Sequence, residues 1–173
     1  MAKQRLIMLF DGTWNDPEDQ TNVYRISRCL HDYDGDMRQR FFYNAGVGTS
    51  KLERFRGGVF GYGLSKNLLA GYEWLAKRYT DGEEIWIFGF SRGAYTARSL
   101  VGLIRKCGLL HIVTPGLLEK AESIYRDESL SPEADACKHF RARYSRTPRI
   151  HFIGVWDTVG ALGVPGTVLS ERG

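Results

Sequence analysis

Long apolar runs are missing from this chain. No stretch of it approaches the length of a membrane-spanning helix. Cysteine is scarce, with Cys29, Cys107 and Cys137 the only three in 173 residues, at spacings that match no metal-site pattern. An odd number in a chain of this kind points to free thiols in a reducing compartment. Charge of one sign is lacking too, because a net +4 is too small to argue for nucleic acid as a partner. A leader is hardly present. MAKQRLIMLFDGT sets basic residues before an apolar run, but that run covers five residues, Leu6 to Phe10, with no small-residue cleavage site after it. These absences lead us to expect a cytoplasmic protein.

What is present is ordinary for a soluble domain: 43% hydrophobic and 25% charged residues. Residues 1–173 are long enough for one domain with a sizeable core, and neither an internal repeat nor a linker interrupts them. RLIMLF, RFFYN, EIWIFGF and RIHFIGVW read as four principal strands. Between them lie helical patterns from Thr21 or Asn22 to His31, from Leu64 to Tyr79 and from Arg92 to Lys106, the last stopped near Gly108. Further helical pieces are expected around Leu117–Tyr125 and Ala134–Tyr144, and the glycine-rich tail TVGALGVPGTVLSERG reads as loop. Alternation of this kind predicts an α/β fold, a mostly parallel sheet with helices on both faces. Ligand sites in such sheets lie at the carboxyl ends of the strands, where FDGTW, GFSRG and VWDTVG all fall.

One of these three is a recognisable chemical device. Gly89-Phe90-Ser91-Arg92-Gly93 stands between a strand and a helix, the setting of a nucleophile elbow. Serine in such a turn is strained, and glycines two before and two after it let neighbouring backbone come close. Arg92 N–H then sits at a helix start, where it can donate to an oxyanion, and a second donor is expected from Gly12 or Thr13. Asp157 ends a strand on the same edge, the place for a triad acid. The blander roles are a turn for Asp11-Gly12 and a cap for Asp157.

The general base is harder to find. His151 begins the strand that Asp157 ends, about 20 Å away at the strand rise. His31 closes a helix that runs away from the active edge, and His111 follows a helix that carries the chain about 22 Å from Ser91. His139 is the one remaining candidate. In this layout the base follows a later strand, so the sheet is expected to be incomplete at its C-terminus, with later strands missing.

Two other readings fail. FDGT matches the end of an aspartyl-phosphate phosphatase signature, but Leu9 stands where the nucleophilic aspartate belongs. GVFGYGLSKN is glycine-rich yet lacks the Gly-Lys-Ser/Thr ending of a phosphate loop. The basic run KHFRARYSRTPR is read as a solvated face, with transient contact to an anionic membrane surface as the alternative.

Taken in order, FDGTWND, YNAGVGT, GFSRGAYTAR and GVWDTVGALG resemble the signatures of a bacterial and fungal alpha/beta-hydrolase family. That family includes the catalytic domains of type VI secretion phospholipase effectors. The resemblance runs from Leu6 to Gly163 and implies a serine esterase or phospholipase, with Ser91 as nucleophile and Asp157 as acid. Relatives continue into a segment with a histidine beside an aspartate and glycines, which nothing here matches. The expectation is therefore a hydrolase of carboxylic esters or phospholipids needing no metal or organic cofactor. The alternative is an inactive hydrolase-fold fragment or binding module.

Overall fold

RLIMLF is apolar at every position after its arginine, and the fold buries it from both sides. A computed structural model describes residues 4–12, 20–46 and 60–159. Strand β1 (Gln4–Phe10) lies at the centre of a five-stranded sheet. Leu6, Met8 and Phe10 point into one layer and Ile7 and Leu9 into the other, all of them buried.

The other sheet strands are β2 (Tyr33–Asp34), β3 (Met37–Asn44), β4 (Glu84–Phe90) and β7 (Ile150–Trp156), in the order β2-β3-β1-β4-β7. All neighbours are parallel except the short hairpin of β2 with β3. The sequence reading missed that hairpin. Its β2 has two residues, too few to show a period, and Gly35 makes its turn at φ +59°. A second small sheet, β5 (Leu109–Leu110) with β6 (Ser145–Arg146), escaped notice for the same reason.

Helices cover both faces. On one side α1 (Asn22–Cys29) lays Val23 and Ile26 against Ile7 and Leu9. Its N-cap is Thr21, whose hydroxyl accepts Tyr24 N–H at 3.0 Å. On the other side α2 (Phe60–Ala76) and α3 (Arg92–Cys107) pack Leu68, Tyr72, Leu75, Leu100 and Leu103 against Leu6, Met8, Ile85 and Ile87. Each such side chain contributes about 1.5–3 kcal/mol when fully buried. Helix α2 starts four residues before the expected Leu64, at Phe60. Glycine's cost of about 1 kcal/mol in a helix does not stop the turn formed by residues 60–63.

Helices α4 (Pro115–Arg126) and α5 (Asp135–Tyr144) close the layer beyond α3. The basic run is divided by this packing. Arg141 donates to the carbonyls of Arg105, Lys106 and Pro132, and Arg146 donates to Tyr79 O, while Lys138, Arg143 and Arg149 are exposed. Among the described residues no helix is long and apolar enough to cross a membrane.

Strand order decides where a ligand can enter. From β1 the chain steps outward to β3, returns across β1 to β4, and continues to β7. The direction reverses between β1 and β4. Parallel sheets open a crevice at the carboxyl ends of two such strands. Here those ends are Phe10-Asp11 and Phe90-Ser91.

The joint between α2 and α3 rests on one buried phenol. Tyr72 donates its hydroxyl to Gly108 O at 2.8 Å and accepts Leu110 N–H at 3.3 Å. Burial pushes its pKa up, and the Cys107 thiol nearby adds to the shift. Tyr72→Phe leaves that carbonyl and amide unpaired, so we expect a loss of about 1–3 kcal/mol. Urea unfolding checks this as a lower midpoint at constant slope; an unmoved midpoint would mean the hydroxyl stabilises nothing.

Candidate active site

The site is built where β4 stops. Ser91 has φ +56° and ψ −120°, a backbone conformation that side-chain-bearing residues rarely adopt. Its hydroxyl does not cap α3. The neighbouring glycines make the turn feasible. A Cβ on Gly93 would press on Phe10 O and lie 2.5 Å from Asp11 O; one on Gly89 would lie 2.6 Å from both Ala94 Cα and Gly93 O. Both are backbone clashes, which no rotamer change relieves.

The turn is fixed from the other side by β7. Ser91 N–H donates to Trp156 O at 2.9 Å, and Val159 N–H donates to Ser91 O at 3.2 Å. Asp157 lies between these two bonds at φ +45°, exposed at the end of β7. The fold therefore brings Ser91 and Asp157 to one edge through backbone contacts. No hydrogen bond joins their side chains.

The start of α3 also approaches the exit of β1, where Gly93 packs on the Asp11 carbonyl. Arg92 begins α3, where the helix dipole favours an anion. Its guanidinium is half-buried, and burial pulls its pKa down. Gly12 is buried beside Asp11, and its N–H donates to Asp11 Oδ1 at 2.8 Å. Thr13 lies outside the described residues, as do residues 160–173 of the tail read as loop and residues 47–50 of the AGVGTS loop.

All four histidines are described, and all are exposed. No histidine ring hydrogen-bonds Ser91 or Asp157. His139 is on α5, two residues before Arg141, which bonds the carbonyls of Arg105 and Lys106 at the far end of α3 from Ser91. His151 stacks on Trp86 at 5.1 Å, with Nδ1 4.0 Å from Glu84 at the start of β4. His111 follows α3, and His31 follows α1. Among the described residues no group of three or more His, Cys, Asp or Glu is arranged to hold a metal ion.

Sequence reasoning weighed Asp11 as a turn residue and, in a reading it rejected, as the second aspartate of a phosphatase signature, but not as a buried acceptor. It is buried and accepts from three donors, two of them distant in the chain: Thr21 and Tyr43. The only early sign was an aspartate directly after an unbroken apolar strand.

The family described as "T6SS, Phospholipase effector Tle1-like, catalytic domain" matches residues 4–172. The uncharacterized protein YEL023C of Saccharomyces cerevisiae is 28% identical over 187 residues, covering 93% of this chain. The match spans 27% of that relative's length. No solved structure gives a significant match.

The elbow's packing is directly testable. Gly93→Ala must push α3 away from β1, so we expect a loss of at least about 1–3 kcal/mol in thermal unfolding. Gly116→Ala, in α4 with nothing within 4 Å of the added methyl, is expected to hold stability or raise it by up to about 1 kcal/mol. Equal behaviour of the two variants would contradict the close approach at Gly93.

Proposed function

Because the chain belongs to the Tle1-like phospholipase effector catalytic domain family, we propose that it is a serine hydrolase of carboxylic esters, with phospholipids as substrates. One observation carries the reading. Ser91 is held at positive φ between β4 and α3, at the point where the sheet order reverses, and is bonded to the turn that contains Asp157.

In this mechanism Ser91 Oγ attacks the ester carbonyl and gives its proton to an imidazole. The tetrahedral oxyanion accepts from Arg92 N–H and from a second amide. Of the two candidates for that amide, Thr13 is favoured, since Asp11 already takes the Gly12 N–H. The imidazolium then protonates the leaving alcohol, and water releases the acyl group by the reverse sequence. Asp157 orients the imidazole; in this structure none of the four histidines hydrogen-bonds Ser91 or Asp157, so the base must come to the site when substrate binds. Neither metal nor organic cofactor takes part in these steps. Lipid as substrate rests on the family description, and surface contact through exposed Lys138, Arg143 and Arg149 suits an anionic membrane.

A second reading is favoured by the same missing contact. A hydrolase-fold module that binds its ligand without turnover would keep the elbow and need no base.

Fatty-acid release from phospholipid vesicles, and release of p-nitrophenol from a short-chain ester, separate the two readings. We expect turnover that falls by at least about 10³-fold in Ser91→Ala. Equal rates in both proteins would remove Ser91 as nucleophile. No turnover by either would leave the binding module as the better account.

A further inference from the structure

One buried carboxylate beside the elbow has no part in the chemistry above. Asp11 is 3% exposed, yet both its oxygens are engaged. Oδ1 accepts Gly12 N–H at 2.8 Å, and Oδ2 accepts the Thr21 hydroxyl at 2.7 Å and the Tyr43 hydroxyl at 2.8 Å. These donors come from three segments: the exit of β1, the N-cap of α1 and strand β3. Thr21 works twice, since the same hydroxyl accepts Tyr24 N–H.

The backbone repeats the connection. Asp11 N–H donates to Asn44 O at 2.8 Å, and Asn44 Oδ1 accepts Gly46 N–H at 2.9 Å. The Asp11 carbonyl is also one of the two against which Gly93 packs. A single residue thus joins β1, α1, β3 and the start of α3. An aspartate that only makes a turn bonds amides one to three positions away and stays wet. Asp11 instead reaches ten and thirty-two positions along the chain, under cover. The Tyr43 phenol responds as a buried donor should, with its pKa pushed up by burial first and by the Asp11 contact second.

We propose that Asp11 is a positioning residue for the Ser91 site: its carboxylate fixes the path by which the chain leaves β1 at Gly12, beside the nucleophile turn. This rests on the serine-hydrolase reading of Ser91. The carboxylate touches no reacting atom. It ties Gly12 to Thr21, and a displacement of about 1 Å at such a place can cost roughly 10²-fold in rate.

The test compares Asp11→Asn, Tyr43→Phe and Thr21→Ser with the wild-type chain in two measurements: hydrogen exchange at the Gly12 amide, and ester turnover. Asp11→Asn keeps the shape but has one acceptor oxygen for three donors. We expect faster Gly12 exchange and a kcat lower by roughly 10²-fold at unchanged KM. Tyr43→Phe removes one donor and should move both readouts the same way by less. Thr21→Ser retains the hydroxyl and should match wild type. Tyr72→Phe, far from the site, lowers stability and should leave kcat alone, which separates positioning from mere destabilisation.

Unchanged exchange and unchanged kcat in folded Asp11→Asn would overturn the proposal. Should that variant not fold, the same null result in Tyr43→Phe overturns it. A wild-type chain that turns over no ester defeats the hydrolase reading instead. Gly12 exchange then decides alone: faster exchange in Tyr43→Phe supports the carboxylate's hold, and unchanged exchange overturns it.

Discussion

Everything at the edge where Ser91 turns depends on how closely α3 approaches the end of β1. Gly93 lies directly on the carbonyls of Phe10 and Asp11, a distance that leaves no room for a side chain. That approach fixes where α3 begins and so where Ser91 must turn. The cost is a serine at φ +56°, of the order of 1–3 kcal/mol for a strained residue. The surrounding core offsets it: Leu100, Leu103 and Ile104 of α3 are buried against Leu6, Met8, Ile85 and Ile87. The remaining constraint comes from β7, whose Trp156 carbonyl accepts the Ser91 amide. Ser91 is thus held from two sides, and Asp157, between the two bonds to β7, shares the positive φ.

The sequence made the elbow visible because its determinants are local. A strand period, two glycines at fixed offsets and a helix period all meet within Glu84–Cys107, and each agrees with the others. The central strand was equally plain, since burial on both faces leaves no polar position between Leu6 and Phe10. What escaped notice is what needs distant partners. Tyr43 and Thr21 look like an ordinary strand residue and an ordinary cap until the fold brings both to Asp11. The basic run likewise looked uniform in sequence, yet Arg141 and Arg146 are spent on carbonyls of α3 and of the turn after α2. Short elements such as β2 and β5 carry too few residues for any period to emerge.

A second asymmetry concerns β7. IHFIGVW is apolar on both faces, the pattern of an inner strand of a parallel sheet. Among the described residues its outer edge pairs with no strand, and Phe152 and Ile153 on its two faces are 42% and 41% exposed. On one side Trp86, Phe88, Phe152 and Trp156 form a row with centroids 5.1–6.4 Å apart, and Trp86, Phe88 and Trp156 border the cluster of Ile7, Leu9 and α1's Val23. The Ser91 turn and Asp157 lie together at the end of this strand, while the four histidines lie on exposed segments and none hydrogen-bonds either residue.

The most direct measurement is whether Ser91 is chemically activated. Intact mass after treatment with a fluorophosphonate, followed by peptide mapping, reads this without assuming any substrate. A single phosphonyl adduct on the peptide containing Ser91, absent in Ser91→Ala, is the outcome this account predicts. A folded chain that gains no adduct would contradict it. The elbow would then display a serine that nothing activates.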